Sequence, residues 1–148
     1  MRFFQPTRRI STNFNAGDGV TVDLGGCFCG KIRYCIDDGE HMVANCHCSM
    51  CRRISAAPFV TWILVPSTSF RYTQGQPIEF ASSEKAVRHF CGSCGTPLAF
   101  LAKSRPDIVD VTSCSLDHPE KHPPSLEVHE NSRLSWLATG LVNDRATH

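Results

Sequence analysis

Three short stretches decide how this chain is read: Cys27-Phe28-Cys29-Gly30, Cys46-His47-Cys48-Ser49-Met50-Cys51 and Cys91-Gly92-Ser93-Cys94-Gly95. They hold seven of nine cysteines in a chain of 148 residues, a density far above ordinary usage. A chain of this length buries most of its surface in one core and needs no covalent staples to fold. Nine is odd, so complete internal pairing is excluded, and the N-terminus shows no secretory signal pattern. Thiolates two or three positions apart on a tight turn can face one ion. A glycine after them allows the positive φ that closes the turn, and Gly30 and Gly95 hold that place.

The count of ligands divides the set. A closed structural zinc site takes four, which the pairs Cys27 with Cys29 and Cys91 with Cys94 supply, tying early strands to late ones. Cys46, Cys48 and Cys51 are then left with three ligands and one vacancy, the coordination count of a zinc that keeps a position for water or substrate. The other reading of the triplet is a closed structural site completed by His47 or by a remote residue. Zinc is preferred to iron because no iron–sulfur spacing puts three cysteines between two separated pairs. Two zinc ions per chain are therefore expected.

Outward from the clusters, the chain reads as mainly β. Short β-rich runs separated by Gly, Pro, Ser or Asp occur at 20–24, 31–36, 59–65, 70–73, 78–81, 86–90, 98–102, 108–112 and 126–129. Residues 49–57 lack alternation, tolerate helix and stop at Pro58, predicting one short helix after the central cluster. The segment 118–125 is rich in Pro and charge and reads as a loop. Residues 1–19 carry Arg2, Arg8 and Arg9 with no acidic residue before Asp18, and read as an irregular arm ahead of a zinc domain over 20–148.

Fifteen Lys plus Arg against fourteen Asp plus Glu give a net charge of +1, which supplies no field for a nucleic-acid backbone or an anionic membrane. No apolar run reaches the roughly 18 residues that a membrane span requires. The expectation is a cytoplasmic protein with a small-molecule partner.

Taken in order, Gly25-Gly26-Cys27-Phe28-Cys29-Gly30, Asn45-Cys46-His47-Cys48-Ser49-Met50-Cys51-Arg52 and Phe90-Cys91-Gly92-Ser93-Cys94-Gly95-Thr96-Pro97-Leu98 resemble the glutathione-dependent formaldehyde-activating enzyme family, also called the GFA or CENP-V domain. The stretches 115–119 and 128–136 resemble its closing motifs, so the likeness runs from about Leu24 to Trp136. The resemblance implies an Mss4-like fold of packed β-sheets bearing zinc. It also implies a structural zinc on Cys27, Cys29, Cys91 and Cys94, and a more labile one on Cys46, Cys48 and Cys51. For the family's named member it implies joining glutathione to formaldehyde as S-hydroxymethylglutathione, formally a carbon–sulfur lyase reaction in reverse.

Three thiolates leave a zinc site at net charge −1, so a nearby cation matters. Arg52 and Arg53 follow the last ligand, and Arg52 is the candidate to balance the site or to bind a substrate carboxylate. His47 is a candidate for proton handling, or a packing residue. His89 reads as a strand-face residue. Cys35 and Cys114 read as packing residues. Phe59, Trp62 and Trp136 could line a pocket beside the second zinc. The leading expectation is a zinc-dependent lyase acting on a glutathione–formaldehyde adduct or a related small thiol or aldehyde. The alternative is a zinc-stabilised binding module without catalysis.

Overall fold

The computed structural model describes residues 21–137. The expected arm over 1–19 lies outside them. Ten strands are present: β1 (Val22–Gly26), β2 (Arg33–Asp37), β3 (Met42–Cys46), β4 (Val60–Pro66), β5 (Phe70–Gln74), β6 (Ile78–Ser83), β7 (Ala86–Phe90), β8 (Pro97–Ala102), β9 (Ile108–Thr112) and β10 (Leu126–Val128). A single α-helix among the described residues, α1 (Ser49–Ser55), follows β3. The protein is thus mainly β, as the sequence predicts.

The strands form two sheets. One has the order β1-β2-β5, and the other the order β10-β3-β4-β9-β8-β7-β6. All pairings are antiparallel except β10 on β3, where Val128 faces Cys46. The sheets meet over a core that includes Tyr34, Ile36, Ile63, Val65, Leu98 and Val111, all without solvent contact. Each such apolar side chain contributes roughly 1.5–3 kcal/mol of transfer free energy. The Tyr34 hydroxyl is the one polar atom of these six side chains, and it is satisfied at 2.6 Å by Ser115 Oγ.

The strand missed by the sequence reading is β3. Its residues Val43 to Cys46 are all buried, because a central strand covered on both faces has no polar-out positions to reveal its period. Ala44 and Asn45 also have weak strand propensity. The first two expected runs are shifted: β1 ends on Gly26 rather than Leu24, and β2 begins at Arg33 rather than Lys31. The expected loop over 118–125 holds one 3₁₀ turn, Pro119–Lys121, and is pinned from within. Asp23 of β1 accepts from Lys121 Nζ at 2.9 Å and pairs with His122 Nε2 at 2.8 Å.

Candidate metal centres

The first centre is built from two matching turns. In one, the amide of Gly30 bonds the Cys27 carbonyl at 2.9 Å with φ +74° at Gly30. In the other, the amide of Gly95 bonds the Cys91 carbonyl at 2.8 Å with φ +77°. An L side chain is strained at these angles, which explains glycine at both places. Strands β1 and β8 flank the turns and bring them together: the Phe28 amide donates to Thr96 Oγ1 at 3.1 Å, and Lys31 Nζ reaches Ser93 Oγ at 3.0 Å.

The sulfur atoms of Cys27, Cys29, Cys91 and Cys94 all lie within 4.8 Å of one another. Cys27 and Cys29 are 3.5 Å apart, and Cys29 and Cys91 are 3.7 Å apart. Both separations are far beyond a disulfide bond and close to the edge of about 3.8 Å that a tetrahedron with 2.3 Å metal–sulfur bonds requires. The surroundings favour thiolate at Cys27 and Cys94, whereas at Cys29, against the Lys31 amide, burial and the neighbouring thiols push the thiol up to about 11. The Ile32 amide donates to Cys27 Sγ at 3.3 Å. Although burial opposes it, the Thr96 hydroxyl, 3.2 Å from Cys94 Sγ, and nearby amides bring Cys94 down to about 6. Cys27 and Cys91 also belong to the main core between the sheets.

The second centre sits on the arc from the end of β3 to the first turn of α1. Cys48 caps that helix: its backbone is extended (φ −62°, ψ 152°) and its sulfur accepts the Cys51 amide at 3.3 Å. This Cys-x-x-Cys spacing therefore turns two sulfurs to one side while starting a helix. Cys46, Cys48 and Cys51 bring their sulfurs within 4.8 Å of one another, and no fourth His, Cys, Asp or Glu among the described residues joins them. Cys46 and Cys51 are buried and share a small second core with Val60 and Trp62. Cys51 is pulled down to about 5, chiefly by the neighbouring Cys46 thiol and, against burial, by Cys48, the Trp62 indole and the charge of Arg88. The same Cys51 contact and burial push Cys46 up. A metal bound here would displace the thiol protons.

The candidate residues around this arc separate in the structure. His47 does not complete the site. Its ring is fully buried, its Nε2 is paired with Glu127 Oε2, and it packs on Phe59 at a centroid distance of 5.4 Å. Its Nδ1 is buried with no hydrogen-bond partner. Arg52 points elsewhere, donating to the Ser132 carbonyl at 2.6 Å, and Arg53 is exposed. Cys35 is buried in β2, and burial pushes its thiol up, as a packing role requires. Cys114 departs from that expectation: the 3₁₀ turn Ser113–Ser115 leaves it exposed. Trp136 is also exposed, at 69%, and only Phe59 and Trp62 of the three expected aromatics line a cavity. His89 on β7 pairs its Nδ1 with the Tyr72 hydroxyl at 3.0 Å, and burial lowers its basicity.

A buried cation near the second centre is Arg88, which sequence reading missed. Its side chain is buried on β7, 6% exposed, with the guanidinium carbon 4.5 Å from the Phe100 ring centroid and 5.9 Å from that of Trp62. A signal was available. Ala86 and Arg88 occupy the same face of an alternating strand, and arginine on an inward face is rare without a charge to answer. Glu127 was missed because it lies 80 positions from His47 in sequence. Burial raises its carboxyl, yet Asn45, His47 and Arg133 hold it below its ordinary value.

The family model described as glutathione-dependent formaldehyde-activating enzyme matches residues 22–132. An uncharacterized lyase of Schizosaccharomyces pombe is 36% identical over 78 residues, which cover 51% of this chain and 55% of that protein. The match thus spans about half the length of that curated relative. The crystal structure of a Rhodobacter sphaeroides protein superposes with a TM-score of 0.58 at 21% identity, covering 70% of this chain and 98% of that one. At that identity the likeness establishes a shared fold.

Proposed function

The chain belongs to the glutathione-dependent formaldehyde-activating enzyme family, and from that premise we propose that it is a zinc-dependent carbon–sulfur lyase. Its substrate would be an adduct of a small thiol with an aldehyde, S-hydroxymethylglutathione or a relative of it. The observation that carries this reading is the inequality of the two centres: four converging sulfurs in one and three in the other. A four-thiolate set closes a tetrahedron, and a three-thiolate set leaves a position for a substrate atom.

Cys27, Cys29, Cys91 and Cys94 would hold a structural zinc, and Cys46, Cys48 and Cys51 a second. Bound there, zinc would supply Lewis acidity and would favour the thiolate form of an incoming thiol. The remaining work falls to the chain. The Cys51 amide holds Cys48 by a hydrogen bond to sulfur, and Trp62 packs against Cys51 in the small second core. Arg88 offsets the surplus negative charge of three thiolates from a nearly dry position, where its field is weakly screened. His47, locked to Glu127, fixes the backbone between Cys46 and Cys48 and ties it to β10, whose Val128 carbonyl accepts the His47 amide at 3.0 Å.

The reaction is balanced without a further reagent. In the cleavage direction the adduct hydroxyl gives up its proton as the carbonyl forms, the carbon–sulfur bond breaks, and sulfur leaves with the electron pair and is protonated. Exchange spectroscopy on glutathione and formaldehyde tests it, because the adduct also forms unaided and its rate must be compared with and without protein. Protein carrying two zinc ions per chain should accelerate exchange, and Cys51→Ser should abolish the acceleration while one zinc remains. Fully loaded protein with no acceleration would refute the reading for this substrate pair.

A further inference from the structure

A cavity of about 260 Å³ lies beside the three-cysteine arc, walled by carbon from Ile54, Ala57, Phe59, Val60, Trp62 and Pro97. Trp62 belongs to both places, since it lines the cavity and shares the small second core with Cys46 and Cys51. Among the described residues, no charged side chain lines the space.

Five hydroxyl side chains complete the wall, and all are engaged within the protein. Ser55 donates to the Cys51 carbonyl at 2.8 Å and Thr61 to Asn45 Oδ1 at 2.7 Å. Thr112 donates to the Pro97 carbonyl at 2.8 Å, and Ser115 to the Thr112 carbonyl at 2.8 Å. Thr96 accepts the Phe28 amide and pairs with Cys94 Sγ. A ligand entering here meets apolar surface, the Cys114 thiol, and no hydroxyl proton left to offer. A ligand carboxylate would lose water without gaining a donor. Glutathione carries two carboxylates and an ammonium and is a poor match.

We infer that this cavity receives an apolar substituent, aryl or branched alkyl, of the adduct, and that the site selects such adducts over that of glutathione with formaldehyde. The inference rests on the lyase reading for its connection to turnover, but not for binding. An apolar cavity of about 150 Å³ holds benzene, so 260 Å³ admits a ring with several further atoms. The substituent can arrive on the thiol half or on the aldehyde half.

The test uses the full chain loaded with zinc. Benzyl alcohol carries the ring but neither thiol nor aldehyde, and its occupancy is read from the rate of Cys114 alkylation, followed by mass spectrometry. Protection should rise with benzyl alcohol concentration and reach about tenfold at roughly ten times the dissociation constant. Ala57→Leu, which fills the cavity, should remove the protection while leaving the melting temperature and zinc content near those of the parent. Exchange rates are then compared for benzyl mercaptan with formaldehyde, for glutathione with benzaldehyde, and for glutathione with formaldehyde. One of the first two should exceed the third by about tenfold or more in kcat/KM, the discrimination a fitted apolar pocket gives, and the faster pair identifies the half that carries the ring. Absence of protection, or preference for glutathione with formaldehyde, would overturn the inference. Protection that Ala57→Leu abolishes, with no adduct turned over at all, would support the cavity as a binding site and refute the lyase reading instead.

Discussion

The two cysteine centres are made of the same side chain and behave as different objects. Cys27 and Cys91 lie inside the main core between the sheets, and their turns come from segments more than sixty positions apart. Cys46, Cys48 and Cys51 span six consecutive residues and rest on a small second core with Val60 and Trp62. A ligand set contributed by distant segments ties them together, so its metal adds to folding. A set drawn from one local arc closes no long loop. Such a set would leave the sheets in place when its ion is gained or lost.

Substitution is the sharpest way to break this contrast. Cys91→Ser should cost several kcal/mol, because metal binding at a distributed site is folding free energy, and should yield protein without a cooperative thermal transition. Cys48→Ser should keep the transition and lose one metal of two, as measured by elemental analysis and calorimetry. Equal damage from both would erase the distinction between the centres.

A smaller effect sharpens the second centre. Arg88→Met keeps the packing against Phe100 and removes the charge, so it should weaken metal retention at the three-cysteine site by about 10- to 100-fold, measured by competition with a chelator. Arg52→Ala should leave that competition unchanged, since Arg52 bonds the Ser132 carbonyl. The reverse ranking would return the role to the residue beside the ligands.

Smallest is the pH effect. Glu127 is held below its ordinary 4.5, against burial, by Asn45, His47 and Arg133. Its contribution is therefore present above about pH 4.5 and is lost as pH falls through the depressed folded-state value. Glu127→Gln should lower stability by about 2 kcal/mol near neutrality, and the gap to the parent should narrow below pH 4.5 in denaturant titrations.

Much of this was legible beforehand because it is local. The glycines after Cys29 and Cys94, the helix after Cys48 and nine of the strands follow from turn chemistry, capping and alternation over a few residues. Strand β3 was hidden because burial on both faces erases its period. Placing Cys114 in the core failed because a 3₁₀ turn, not a strand, carries it.

The sequence by itself determined which neighbouring cysteines share a turn, since a turn of two or three residues sets where their sulfurs point, and counting ligands paired the two outer turns. Only the tertiary structure decided what surrounds them. Arg88 reaches the second centre by lying beside Phe100 across two strands, Glu127 reaches His47 from a strand added in parallel, and the cavity is walled by three separate parts of the chain. These contacts depend on which strands become neighbours in the sheet, and local preferences along a chain do not fix that order.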